Sequence, residues 1–245
     1  MSLRATGATA ARVLAQLRRD PRTIALLLGV PVLLIVLLHE LFSGRSEIFQ
    51  RVGGPLLGIF PFISMFVVTS ITMLRERTSG TLERLMTLPL AKLDLLAGYG
   101  AAFALVAAVQ AALVSTVAFA LLGLQSRGPA WAVALLAIGN AILGMALGLF
   151  ASAFASSEFQ AVQFMPAFVT PQMLLCGLFV DRGDMAAWLR GISDALPLTY
   201  AYDALARVTR TADYGGRFGV DVAVTVGATL LALALGAATL RRRTP

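Results

Sequence analysis

The chain has 245 residues, 58% hydrophobic and 13% charged, and Lys plus Arg (20) exceed Asp plus Glu (13) by seven. A soluble domain carries about 25% charged residues, so a soluble enzyme is excluded, and the basic excess fits membrane-flanking loops better than a nucleic-acid surface. One cysteine, Cys176, and one histidine, His39, allow no intrachain disulfide and leave too few ligands for a His/Cys metal centre.

Residues 8–22 read as an amphipathic helix. Val13, Leu14 and Leu17 share one face, and Arg12, Arg18 and Arg19 lie towards the other. Such a helix lies in the plane of the membrane interface, with its Arg heads among phosphates. The other reading is a plain basic flank that sets topology.

Six apolar stretches follow, over residues 24–42, 55–74, 95–122, 131–154, 159–180 and 220–240. A bilayer core about 30 Å thick needs roughly 20 apolar helical residues, so the expected fold is an all-α membrane protein of six spans. The first stretch is longer than the h-region of a signal peptide and lacks a small-x-small cleavage site, so it reads as a retained helix. An even span number puts both termini on one side. Arg4, Arg12, Arg18, Arg19, Arg22, Arg75, Arg77, Arg84, Lys92 and Arg241–Arg243 share a face with few acids, which makes that face cytoplasmic.

Between spans two and three lies a charged segment, residues 75–92. Ser79 or Thr81 suits a helix cap, Leu82, Leu85 and Met86 fall on one helical side, and Pro89 ends the helix. The segment reads as a short surface helix, against the alternative of a solvated loop. On span four, Gly144, Gly148 and Ser152 recur every fourth residue, a spacing that lets helices approach closely. This stripe packs either within the chain or against a second copy. Pro166 and Pro171 interrupt span five, as a hinge or as a static bend.

Residues 181–219 are too polar to span. Leu189, Ile192, Leu196 and Leu205 offer apolar contacts, while Asp194 and Pro197 break any continuous crossing. Within the spans the polar residues are neutral: Gln110, Ser115, Thr116, Asn140, Gln163 and Gln172 are expected mainly to bond between helices. Ion-coupled carriers use buried acids or broken ion-binding helices, and here Glu158 and Asp221 fall at span edges. The sequence holds no Gly-x-x-x-x-Gly-Lys-Ser/Thr loop, no His-Glu-x-x-His and no Ser–His pair placed for catalysis. No catalytic residue is expected, and any pumping draws on another subunit.

Several segments are similar to one family. Arg75-Glu76-Arg77, Ser79-Gly80-Thr81-Leu82-Glu83, Leu88-Pro89-Leu90 and Leu95-Leu96-Ala97-Gly98 resemble the permease subunits of ABC type-2 exporters. Ser157-Glu158-Phe159-Gln160-Ala161, Cys176-Gly177-Leu178-Phe179 and Leu196-Pro197-Leu198-Thr199-Tyr200-Ala201 follow in the family's order, with Leu196 where Asn is usual and Cys176 where Ser is usual. The resemblance implies one transmembrane permease domain over residues 1–245. It implies two protomers, alike or different, around a path for a small lipophilic substrate in membrane lipid. A separate ABC ATPase would hold ATP and Mg, so no cofactor is expected on this chain. Arg75, Glu76, Arg77, Ser79, Gly80, Thr81, Leu82, Glu83, Arg84 and Leu85 would contact that ATPase, with the interfacial helix (Arg12, Leu14, Leu17, Arg18) beside them. Pro197, Thr199 and Tyr200 would belong to re-entrant helices on the outer side of a bacterial cytoplasmic membrane. The implied cargo is lipophilic or amphipathic, drug or lipid-like. A permease for lipid-linked glycans and a scaffold without an ATPase are the alternatives.

Overall fold

A computed structural model describes residues 3–80, 92–212 and 214–239. The described residues are helical with no strand: α1 (Leu3–Arg18), α2 (Pro21–Leu41), α3 (Ser46–Thr78), α4 (Lys92–Thr116, continued by a π turn over Val117–Leu121), α5 (Ala130–Ala151), α6 (Glu158–Leu175), α7 (Ala187–Ala195), α8 (Pro197–Arg210) and α9 (Gly216–Thr239). Pro21 and Asp20 start α2. Proline suits the first helical turn, and the Asp20 carboxylate accepts from Thr23 N at 3.1 Å and Thr23 Oγ1 at 2.6 Å. The Thr23 side-chain bond, followed by the main-chain one, holds the Asp20 carboxyl below its ordinary range.

α3 is the axis of the bundle. Gly53, Leu57, Phe62, Met65, Phe66, Thr69 and Met73 along its length are buried. Its 33 residues run past the apolar stretch 55–74 at both ends. The charged triplet Arg75-Glu76-Arg77 is therefore the last turn of α3, where sequence reading puts the start of a loop. Hydropathy registers only the apolar middle of a helix that outlasts the bilayer. Gly80, at φ +70°, follows the Ser79 cap and ends α3 in the left-handed conformation that glycine takes without a Cβ clash.

α5 lies along α3. A Cβ added at Gly144 or Gly148 would strike the main chain of Phe62 or Phe66 respectively, so the two backbones touch through the glycines. α8 enters the same half-bundle from its other end. Leu205 and Thr209 come within 2.5 Å of where Gly58 and Gly54 would carry a Cβ. The α4–α5 loop is tied to the end of α8 by Arg127 N–H to Thr209 O (3.0 Å) and Gly128 N–H to Val208 O (2.9 Å). Gln110 of α4 donates to the carbonyl of Leu27 on α2, and Gln172 of α6 donates to Phe168 O while accepting from Leu198 N.

Leu33, Leu37, Leu105, Val109, Val226, Leu230 and Leu231 are exposed around α2, α4 and α9. An apolar outer surface of this kind suits lipid. Among the described residues five helices are long and apolar enough to cross a membrane: α2, α3, α9, the stretch Ala97–Leu121 and α5. α6 also traverses the bundle, but Gln160, Gln163, Gln172 and two prolines dilute its 18 residues, and it falls outside that group. It stops at Leu175, short of the expected 180, because Gly177 turns the chain at φ +102°.

Candidate functional site: charged nodes at the two ends of the bundle

Arg51 and Arg75 sit 24 residues apart on α3, about 36 Å at 1.5 Å per residue. Each anchors a set of charged side chains, one set at either end of the bundle.

At the Arg75 end, α1 docks on α4 and reaches the end of α3 through Arg12. Val13 is buried, and Ala10, Leu14 and Leu17 pack around it beside Met73 and Phe103. Gly98 lets α4 approach Thr9 to within 2.5 Å of a would-be Cβ. Arg12 turns inward, unlike Arg18, which is exposed. Its Nη1 lies 3.4 Å from Glu76 Oε1, its Nη2 donates to the Tyr99 hydroxyl, and its guanidinium stands 5.5 Å from the Tyr99 ring centroid. Glu76 is 6% exposed, and its Oε2 has no partner. One ion pair and one ring thus fasten three helices. The sequence suggested Arg12 on the polar face. The pull of a buried carboxylate brings it inside.

Arg75 points the other way. Its Nε and Nη2 grip Glu158 of α6 at 2.7 and 2.9 Å, with both side chains more than half exposed. Arg77 reaches Thr239 of α9 at 3.5 Å. Ser79 donates its N–H to Arg75 O at 2.9 Å. A cavity of about 540 Å³ opens here between Leu17, Asp20, Thr23, Arg75, Ser79 and Phe103. Of the residues expected to meet an ATPase, Arg75, Glu76, Arg77, Ser79 and Gly80 thus gather at this end. Thr81, Leu82, Glu83, Arg84 and Leu85 lie outside the described residues, as does the rest of the expected surface segment up to Ala91.

Exposed ion pairs contribute little to stability, about 0–1 kcal/mol. Arg75→Ala is therefore expected to leave the thermal midpoint of the purified chain nearly unchanged. A fall beyond about 1 kcal/mol equivalent in denaturation would contradict the exposed geometry of the Glu158 pair.

At the opposite end, α7 and α8 form a corner. Pro197 opens α8. The buried Thr199 hydroxyl lies 3.2 Å from Ser193 Oγ, which itself donates to Leu175 O at 2.8 Å. Tyr200 donates its hydroxyl proton to Asp194 O at 2.7 Å. Beside the corner, Arg182 binds Asp203 at 2.8 Å and also Asp194, and Arg207 binds the fully buried Asp221 of α9 at 3.0 Å. Burial pushes the Asp203 carboxyl up, and Arg182 opposes that shift. Sequence reading placed Asp221 at a span edge and foresaw no pairing for Arg182, Asp203 or Arg207. No local signal marks them, since each finds its partner on another element.

Gly144 and Gly148 share the α5 face towards α3, and the buried Ser152, which caps the end of α5, bonds back to Leu149 O at 2.6 Å. Among the described residues no group of His, Cys, Asp and Glu is placed to hold a metal ion.

An all-α bundle with several helices long and apolar enough to cross a membrane is a multi-pass membrane protein. The sequence profile of the family described as ABC-2 type transporter matches residues 4–208, and the chain belongs to that family. It is similar to the probable multidrug ABC transporter permease YbhR of Escherichia coli K12, 28% identical over 151 residues, which cover 60% of this chain and 40% of that protein. The same-named protein of Escherichia coli O157:H7 matches equally. ABC transporter G family member 20 of Dictyostelium discoideum is 23% identical over 161 residues, 66% of this chain and 22% of that protein. The chain thus matches less than half the length of these relatives.

Proposed function

We propose that this chain is the permease subunit of an ATP-driven exporter that moves a lipophilic or amphipathic compound, drug or lipid-like, outward across a bacterial cytoplasmic membrane. The observation that carries the reading is the Arg12–Glu76–Tyr99 node. It bonds α1 to the end of α3 immediately before residues 81–91, which continue the segment that resembles the family's. A push on that segment would then reach α1, α3 and α4 as one body, and rigid-body rocking is a common transporter movement. The name of the Escherichia coli relative, which concerns multidrug transport, favours a lipophilic cargo over a glycan.

In this reading the Arg75 end and both termini are cytoplasmic. α2, α3, α4, α5, α6 and α9 are six spans, and α7 and α8 are re-entrant from outside. A separate ABC ATPase binds ATP and Mg²⁺ and presses on residues 75–92 and 8–22. A second permease protomer, the same chain or a different one, completes the path.

The test is reconstitution with the ATPase partner in inverted vesicles, with uptake of a lipophilic fluorescent dye as the readout. Uptake should require ATP, and a chain lacking residues 81–88 should insert normally but fail to pump. Full pumping by that deletion would remove the coupling proposal. Arg75→Ala, stable by its geometry, separates a coupling defect from a folding defect in the same assay. Labelling of a Ser79→Cys variant in a Cys176→Ser background reports which side the Arg75 end faces.

A further inference from the structure

Two cavities adjoin at the Arg182 end. One, of about 550 Å³, is lined by five arginines (Arg182, Arg190, Arg207, Arg210 and Arg217) against two aspartates, Asp181 and Asp203. The other, of about 610 Å³, is walled mainly by apolar side chains, among them Leu38, Phe42, Val52, Leu56 and Phe179. Gly177 and Asp181 line both, so the two lie side by side, the first rich in charge and the second mainly apolar. Gly177 sits at the seam with φ +102°, a conformation other residues rarely take, and a Cβ there would press on the Tyr202 ring at 3.2 Å.

Among the described residues the charge in the first half is offset only in part. Arg182 is engaged by Asp194 and Asp203, Arg207 by Asp221, and Asp181 by Arg51. Arg190 spends its N–H groups on the carbonyls of Arg182, Gly183 and Met185, and Arg210 on Arg51 O and the Tyr202 hydroxyl. Those acceptors are neutral. Among the described residues no carboxylate forms a salt bridge with Arg190, Arg210 or Arg217, although Asp221 lies within electrostatic reach of Arg217, and the buried Nε of Arg182 has no partner. Among the described residues no acceptor takes Nη1 of Arg190, Nη1 of Arg210 or the guanidinium of Arg217, and these cationic ends match an oxyanion such as a phosphate. A pocket of this size holds a small-molecule head group.

We infer that the two adjacent cavities together bind an anionic amphiphile, its phosphate-like head among Arg190, Arg210 and Arg217 and its alkyl chain along Phe42, Leu56 and Phe179. This deepens the proposed function by naming the charge and shape of a ligand. It rests on that reading only for the ligand's role as cargo, because binding needs neither ATP nor a partner.

The experiment is native mass spectrometry of the full chain released from neutral detergent and titrated with oleoyl lysophosphatidate. Oleoyl lysophosphatidylcholine, with the same chain but a zwitterionic head, and glycerol 3-phosphate, the head alone, are the comparison probes. Lysophosphatidate should bind saturably and more tightly than either. Arg217→Gln, at an exposed position, should weaken it about tenfold, the size of one lost charge-assisted hydrogen bond. Phe179→Ser, also exposed, should weaken lysophosphatidate and leave glycerol 3-phosphate unchanged. Equal affinity for lysophosphatidylcholine, or no effect of both Arg217→Gln and Arg190→Gln, would overturn the anionic head site. Glycerol 3-phosphate binding as tightly as lysophosphatidate would reduce the cavity to a free-anion site and overturn the amphiphile. Intact dye pumping without lysophosphatidate binding would defeat this inference alone, and binding without pumping would defeat only the exporter reading.

Discussion

Gly144→Ala and Gly148→Ala should each destabilise the bundle severely, by about 1–3 kcal/mol or more per site, the usual cost of overpacking. The added methyl meets the main chain of Phe62 or Phe66, which has no rotamer to escape into. Relief requires α3 and α5 to separate, and that separation loosens every contact the glycines permit. α3 also carries α8 through Gly54 and Gly58, so the damage spreads to the corner that holds Thr199 and Tyr200. The measurement is the thermal midpoint of detergent-purified protein, with the monodisperse peak in size-exclusion chromatography as a second readout. Gly139→Ala is the control. Gly139 lies on the same helix with open space beside it, and alanine there should be neutral or stabilising by up to about 1 kcal/mol from helix propensity. Equal behaviour of Gly139→Ala and Gly144→Ala would mean that the α3–α5 contact is not as close as described.

Glu76→Gln should release α1. Removing one partner of a buried ion pair costs about 3–5 kcal/mol, because the surviving charge stays desolvated. Arg12 is 29% exposed in its side chain, so it recovers water by swinging out, and the cost falls towards the low end of that range. The swing carries α1 with it, since the bond to Tyr99 depends on the same guanidinium. Trypsin should then cut at Arg18 or Arg19 faster than in the native chain, while α2–α9 keep their protection. Arg12→Gln should do the same. The double variant should be less impaired than the sum of the two, because neither charge is left stranded. Strict additivity would show that Arg12 and Glu76 do not interact. In the vesicle assay, Glu76→Gln should also lower pumping more than Arg75→Ala, since the buried node and not the exposed pair ties the helices together.

The outcome for Glu76 shows where sequence reading runs out. Its Arg-Glu-Arg context marks a charged segment, and the motif marks a family, but nothing local says that Glu76 faces in and Arg75 faces out. The glycine stripe is similar. Gly144 and Gly148 announce a close helix contact through their spacing alone, and left open whether the partner is α3 or a second copy. Five of the six expected spans were legible because an apolar run of sufficient length is a local property with one solution in lipid. Their ends were less so. Ser46–Thr78 exceeds the stretch 55–74 because polar residues continue the helix beyond the bilayer, and the 159–180 stretch breaks early at Gly177.

The sequence by itself determined the membrane class, the family and the order of the segments, since run length, motif and spacing are carried by neighbouring residues. Only the tertiary structure decided that Arg12 meets Glu76 and Tyr99 across 64 and 87 positions, that α8 enters the bundle against Gly54 and Gly58, and that five arginines from 182 to 217 line one cavity. Those pairings are made in space between elements distant in the chain. In a low-dielectric interior a buried charge must find whichever partner the packing brings near.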